Sequence, residues 1–149
     1  MKIALATDHG GFPLKETIKK LLLELHVDTT DYGSEGAESV DYPDYAIAVA
    51  EQVSEGKVDA GVLVCGTGIG MAIVANKFKG IRAAVVNDPY TARMAKEHNN
   101  ANIVCLGGRV NDPEKARELV KIWLTTRYEG GRHDRRLQKI SEIDKKNLK

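Results

Sequence analysis

The chain has 149 residues, 42% of them apolar and 29% charged, with a formal net charge of +1. That length suits one compact domain and is short for two, and the near balance of charge gives no global attraction to nucleic acid. No run reaches the roughly 18 apolar residues of a membrane span, and the opening residues enter a strand pattern directly without a signal-peptide arrangement, so a cytoplasmic protein is expected.

Five strand-like runs alternate with helical patterns along the chain. Lys2 to Thr7 is the first strand and ends in Asp8-His9-Gly10-Gly11; the stripe Leu14, Ile18, Leu21, Leu22 and Leu25 then marks a helix. Val27 to Asp31 is the second strand. Asp41, Tyr42 and Pro43 open the next helix, whose apolar face is Ala46, Val49, Ala50 and Val53. Ala60 to Val64 is the third strand and leads into Cys65-Gly66-Thr67-Gly68-Ile69-Gly70, with a helix predicted from Ile69 to Phe78. Arg82 to Val86 is the fourth strand, followed by the cap and first-turn proline Asp88-Pro89 and a helix reaching His98. Asn102 to Leu106 is the fifth, followed by Gly107-Gly108-Arg109. Asp112 and Pro113 then begin a helix with the stripe Ala116, Leu119, Val120, Trp123 and Leu124.

This alternation predicts an α/β fold: one doubly wound domain over residues 1–149, with a five-stranded parallel sheet and helices on both faces. In the strand order 2-1-3-4-5 the winding reverses between strands one and three, and ligands bind beyond the carboxyl ends of the strands at that point. The loops Asp8 to Gly11 and Cys65 to Gly68 would face each other there. The tail, residues 132 to 149, holds seven Lys or Arg against three Asp or Glu. Leu137, Ile140 and Ile143 recur in it at near-helical spacing, so it reads as a basic, solvated helix.

The turn after the third strand carries the chemistry. A thiol normally has a pKa near 8.5, and at a helix N-terminus it falls to roughly 3.5–7.5, which would make Cys65 a working base near neutrality. The glycines admit a ligand to backbone N–H groups across Gly66, Thr67, Gly68, Ile69 and Gly70, a setting that favours negative charge. Two other anion-binding patterns fail on spacing, because a dinucleotide fingerprint needs a small residue and a Cys-x5-Arg phosphatase needs arginine where Met71 stands. Cys105 reads as a small buried hydrophobe. Neither cysteine has zinc-like partners in sequence, so both are expected to be free thiols.

Asp8-His9-Gly10-Gly11, Cys65-Gly66-Thr67-Gly68-Ile69-Gly70, His98-Asn99 and Gly130-Gly131-Arg132-His133 with Arg136, taken together and in order over nearly the whole chain, resemble the type B ribose-5-phosphate isomerases. The resemblance implies a Rossmann-like fold working as a homodimer or a dimer of dimers, without metal or cofactor, that interconverts ribose 5-phosphate and ribulose 5-phosphate. It implies Cys65 as base, Thr67 as the hydroxyl relaying protons between O1 and O2, and a ring-opening role for His98 beside Asn99. Asp8 would orient the sugar hydroxyls and Tyr42 would lie near the sugar. A phosphate requires fixed cations, and arginine's planar fork suits it. His9, Arg109, Arg132 and Arg136 are the expected clamp, the last two sharing a helix face at a spacing of four. Because these late arginines follow the last strand, the tail from residue 130 is expected to reach a neighbouring subunit and complete a shared site.

Three other readings remain open on sequence alone. The substrate could be a six-carbon aldose 6-phosphate such as allose or galactose 6-phosphate. The glycine turns could serve a non-catalytic phosphometabolite-binding module. A metal-dependent isomerase would use Asp8, His9, His98 or His133, although no pair has compact ligand spacing.

Overall fold

A computed structural model of the chain describes residues 1–148. The strands β1 (Lys2–Thr7), β2 (Asp28–Asp31), β3 (Ala60–Cys65), β4 (Ala83–Val85) and β5 (Ile103–Gly107) form one sheet, parallel at every pairing. The helices are α1 (Phe12–Glu24), α2 (Tyr42–Ser54), α3 (Ile69–Ala75), α4 (Pro89–Glu97), α5 (Pro113–Thr125) and α6 (Arg132–Asn147).

The period of two along the strands divides the core into two layers. Ile3, Leu5, Val62, Val64, Val104 and Leu106 face α1, α4 and α5, whereas Ala4, Ala6, Leu63, Cys65, Ile103 and Cys105 face α2 and α3. Small residues on the second face let α2 come close: a Cβ on Gly61 would lie 2.6 Å from Cγ1 of Val49. On the first face Trp123 is fully buried, and its indole N–H donates to the carbonyl of Ala101 at 3.0 Å, so the largest core side chain leaves no polar atom unpaired.

The strand order is β2-β1-β3-β5-β4, so the expected order 2-1-3-4-5 is corrected at one edge. The physical reason lies in burial. All five residues of β5 are buried, as a central parallel strand requires, while β4 has three residues of intermediate exposure and suits an edge. The reversal of winding between β1 and β3 is unaffected. A second difference is that α3 ends at Ala75 and not at Phe78. The carboxamide of Asn76 donates to the carbonyl of Ala83 at 2.9 Å and accepts from its amide at 2.8 Å, which ties the helix end to the outer edge of β4.

Among the described residues no helix is long and apolar enough to cross a membrane. The tail is helical as expected, and in α6 only His133 is buried. Ile140 and Ile143 on its apolar stripe stay 38% and 57% exposed, so this helix presents an apolar ridge to solvent.

Candidate active site

Three loops at the carboxyl ends of β1, β3 and β5 meet in backbone contact. A Cβ on Gly10 would lie 2.9 Å from the amide nitrogen of Gly66, one on Gly107 would lie 2.8 Å from the carbonyl of Gly66, and one on Gly108 would run into the carbonyl of Gly10. Two hydrogen bonds join the second and third loops, Gly108 N to Cys65 O at 2.7 Å and Arg109 N to Gly66 O at 3.0 Å. Interlocked backbones of this kind hold side chains on a rigid frame, which catalytic geometry requires.

The frame bounds a cleft of about 470 Å³ lined by Asp8, His9, Tyr42, Cys65, Gly66, Thr67, Ile69, Gly70, Ile73 and Arg109. Gly68 adopts the left-handed conformation, φ 84°, that starts α3, and its amide donates to the Cys65 sulfur at 3.1 Å. An N–H aimed at sulfur is the partner an anionic sulfur needs. The Thr67 hydroxyl accepts from the Ile69 amide at 3.2 Å and keeps its own hydrogen free to donate. Cys105 lies on the same face of the sheet, fully buried, and burial first and the neighbouring Cys65 second push its thiol well above the ordinary range. It is therefore a protonated core residue.

The ligand-facing polar groups are oriented by their own contacts. Oδ1 of Asp8 accepts from the Gly11 amide at 3.0 Å, leaving Oδ2 for a ligand. Nδ1 of His9 accepts from the Val40 amide at 3.2 Å, so a neutral ring carries its hydrogen on Nε2 and presents a donor. The segment that supplies Val40 is itself pinned by buried Lys15, whose ammonium donates to the carbonyl of Ser34 and pairs with Asp31 at 2.9 Å. Arg109 lies over Gly66, and a Cβ on Gly70 would run into the Tyr42 ring, which packs on the first turn of α3.

Four expected site residues lie elsewhere in the chain. His98 is the C-cap of α4, which begins beyond the carboxyl end of β4 and returns to the amino end of β5. It therefore sits on the order of 15 Å, a strand length, from the cleft. Asn99, beside it, is exposed and lines a shallow groove with Arg82 and Ile140. Arg132 and Arg136 are exposed on the first turns of α6, and Arg132 pairs with Glu129 at 3.6 Å. These four share one end of the molecule, because the Glu129 amide donates to the carbonyl of Glu97 at 2.9 Å and the ring of His133 stacks on His98 with centroids 4.3 Å apart.

His98, Glu129 and His133 bring potential ligand atoms within 4.8 Å of one another. The two imidazole planes are inclined by only 22°, however, and ring lone pairs lie in those planes, so the stacked rings do not aim at a common ion. Sequence reasoning missed Ile73, one helical turn beyond Ile69, and the Val40 amide that sets the His9 tautomer; the first had a spacing signal and the second had none.

Residues 3–140 match the model of the Ribose/Galactose Isomerase family. The chain is 54% identical over 149 residues to a Bacillus subtilis protein whose name goes no further than sugar phosphate isomerase, covering 99% of this chain and 100% of that one. It is 46% identical to Escherichia coli ribose-5-phosphate isomerase B over 97% of each chain. The solved structure of Clostridium thermocellum ribose-5-phosphate isomerase B superposes with a TM-score of 0.95 at 49% identity, covering 98% of this chain and 99% of that one. With five parallel strands, glycine-bound loops and a cysteine at the winding reversal, the chain belongs to the ribose/galactose isomerase family and is an isomerase.

Proposed function

We propose that the chain interconverts ribose 5-phosphate and ribulose 5-phosphate by ring opening followed by metal-free proton transfer through an enediolate. The observation that carries this reading is the grouping, in one cleft, of a sulfur held by a backbone amide, a hydroxyl two residues beyond it, and two phosphate-grade donors, His9 and Arg109.

Ribose 5-phosphate arrives as a furanose. His98 takes the proton of the anomeric hydroxyl and passes it to the ring oxygen, which breaks the C1–O4 bond and yields the open aldehyde. The Cys65 thiolate then takes the C2 proton, the electron pair passes to O1, and the amides of the Gly66–Gly70 turn accept the enediolate charge. Thr67 carries a proton between O2 and O1, and the thiol returns its proton to C1, completing the ketose. Asp8 and Tyr42 orient the sugar, and His9, Arg109, Arg132 and Arg136 grip the phosphate.

The separation of His98, Asn99, Arg132 and Arg136 from the cleft argues for a shared site. In a two-fold dimer the far end of one copy meets the cleft of the other, and both sites form at once. Exposed Ile69 and Ile73 at the cleft, 55% and 58%, and Ile140 and Ile143 on α6 supply apolar surface for that contact. A dimer of dimers would extend it.

The test has two arms. Ribose 5-phosphate incubated with the protein in deuterated buffer should gain deuterium at C2, whereas a binding module would leave it unlabelled; kcat/KM on six-carbon aldose 6-phosphates should be lower than on the pentose. For the shared site, Cys65→Ala and His98→Asn homodimers should both be inactive, and mixing them after dissociation should restore about a quarter of native turnover, since half the dimers are mixed and each holds one intact site. No recovery on mixing would refute the sharing.

A further inference from the structure

We infer that His133 is a positioning residue for His98: ring-on-ring contact from His133 sets the plane in which the His98 imidazole is offered to the sugar. This rests on the ring-opening role given to His98 above.

The geometry is specific. His98 caps a helix, with its own amide donating to the Met94 carbonyl at 3.0 Å, so its backbone is fixed, but among the described residues no side-chain hydrogen bond fixes its ring. What touches the ring is His133, stacked at 4.3 Å and 22°. His133 is 5% exposed, and its Nε2 has no hydrogen-bond partner, the nearest carboxylate oxygen being Oε2 of Glu129 at 3.7 Å. A leucine would fill such space without that defect; a flat ring is what a stacked imidazole needs.

The chain is shaped to deliver this ring. Gly130 and Gly131 adopt φ 72° and 57°, turning the backbone sharply before α6, and the Glu129 amide is anchored to Glu97, the residue preceding His98. The Tyr128 hydroxyl donates to Asp134 at 2.6 Å across the same turn. The turn thereby serves two ends: it starts the helix carrying Arg132 and Arg136 and lays His133 on His98.

The experiment compares ribose 5-phosphate with a four-carbon aldose 4-phosphate. The latter cannot close a furanose ring because its O4 carries the phosphate, so it needs the thiol and the phosphate grip but no ring opening. His133→Ala should lower turnover of ribose 5-phosphate on the order of 100-fold, the usual consequence of a misplaced catalytic group, and leave the four-carbon sugar unchanged. His133→Phe, which keeps a flat ring and removes both nitrogens, should recover most of the loss. His133→Leu, which fills the space without a flat ring, should reproduce the Ala effect, and together with the Phe variant it decides the matter if the Ala variant does not fold. Equal loss on both sugars would assign His133 to the fold or the phosphate grip, no loss on either would leave it without a role, and failure of Phe to recover activity would put the function in the nitrogens; each overturns the inference. Wild-type protein inactive on both sugars would instead remove the isomerase reading beneath it, and the inference with it.

Discussion

Gly68→Ala tests the link between backbone conformation and chemistry most directly. The native φ of 84° costs an L-residue roughly 1–2 kcal/mol. The added Cβ would also lie 3.0 Å from the carbonyl carbon and 3.1 Å from the amide nitrogen of Leu106, and 3.2 Å from the carbonyl carbon of Cys105. Those atoms belong to the central strand β5 and yield little, so the total destabilisation should be about 2–3 kcal/mol, lowering the melting temperature by about 4–12 °C for a chain of this size. If the turn relaxes to relieve the contact, the Gly68 amide leaves the Cys65 sulfur. A hydrogen bond to a charged group contributes about 1.5–3 kcal/mol, so kcat should then fall by about tenfold to 150-fold with KM little changed. Steady-state kinetics on ribose 5-phosphate and a thermal melt on the same sample measure both. A variant with native melting temperature and native kcat would refute the claim that this glycine's geometry holds the sulfur's donor.

Cys65→Ala should reduce kcat by about 10²–10⁴-fold, the range for a general base, while Arg136→Ala should chiefly raise KM, by about tenfold or more, through loss of a charge-assisted contact. Alkylation with iodoacetamide should inactivate by modifying Cys65 and spare the buried, protonated Cys105, with sugar phosphate protecting; peptide mapping decides this. For Asp31, burial raises the carboxyl pKa but the Gly33 amide and Lys15 outweigh it, so the net shift is downward. Its stabilising contribution is therefore complete above the unfolded value of 3.8 and lost as pH falls through the depressed folded value. Lys15→Met should cost about 2 kcal/mol at neutral pH, less than a fully buried pair because Asp31 retains 22% side-chain exposure, and should flatten the acid limb of a stability–pH curve. Prolonged dialysis against a chelator should leave ribose 5-phosphate turnover unchanged, measured against a divalent-ion add-back control.

The strands and most helices were legible because their signals are local: period two or continuous apolar runs for strands, spaced stripes and Asp-Pro openings for helices. Asp88 and Asp112 cap their helices by accepting from Thr91 and Lys115, as their positions before proline suggested. The placement of β5 inside β4 was not legible, since both runs are short and apolar and strand order depends on which one is buried on both faces. The end of α3 escaped notice because Asn76 stops it through a long-range pair with Ala83, which no periodicity encodes. The cleft residues were readable as a set because glycine-rich loops follow three strands that a parallel sheet brings to one edge. His98 was legible as a candidate, but its distance from Cys65 depends on the direction of α4, a property of the fold.

That direction has a consequence for how the chemistry is divided. In a parallel sheet every strand ends at the same edge, and every connecting helix returns to the other, so a residue closing a helix is displaced from the strand-end cleft by construction. Cys65, Thr67, His9 and Arg109 follow strands; His98, Asn99, Arg132 and Arg136 follow or begin helices at the opposite end. On the proposed mechanism, one copy then holds the groups for proton transfer at C2, and a second copy would supply ring opening and the remaining phosphate cations. On this division, an obstacle to dimer contact at Ile69, Ile73, Ile140 or Ile143 removes furanose turnover first. The thiol and its amide donor, both within one chain, are left intact for a sugar that is already open.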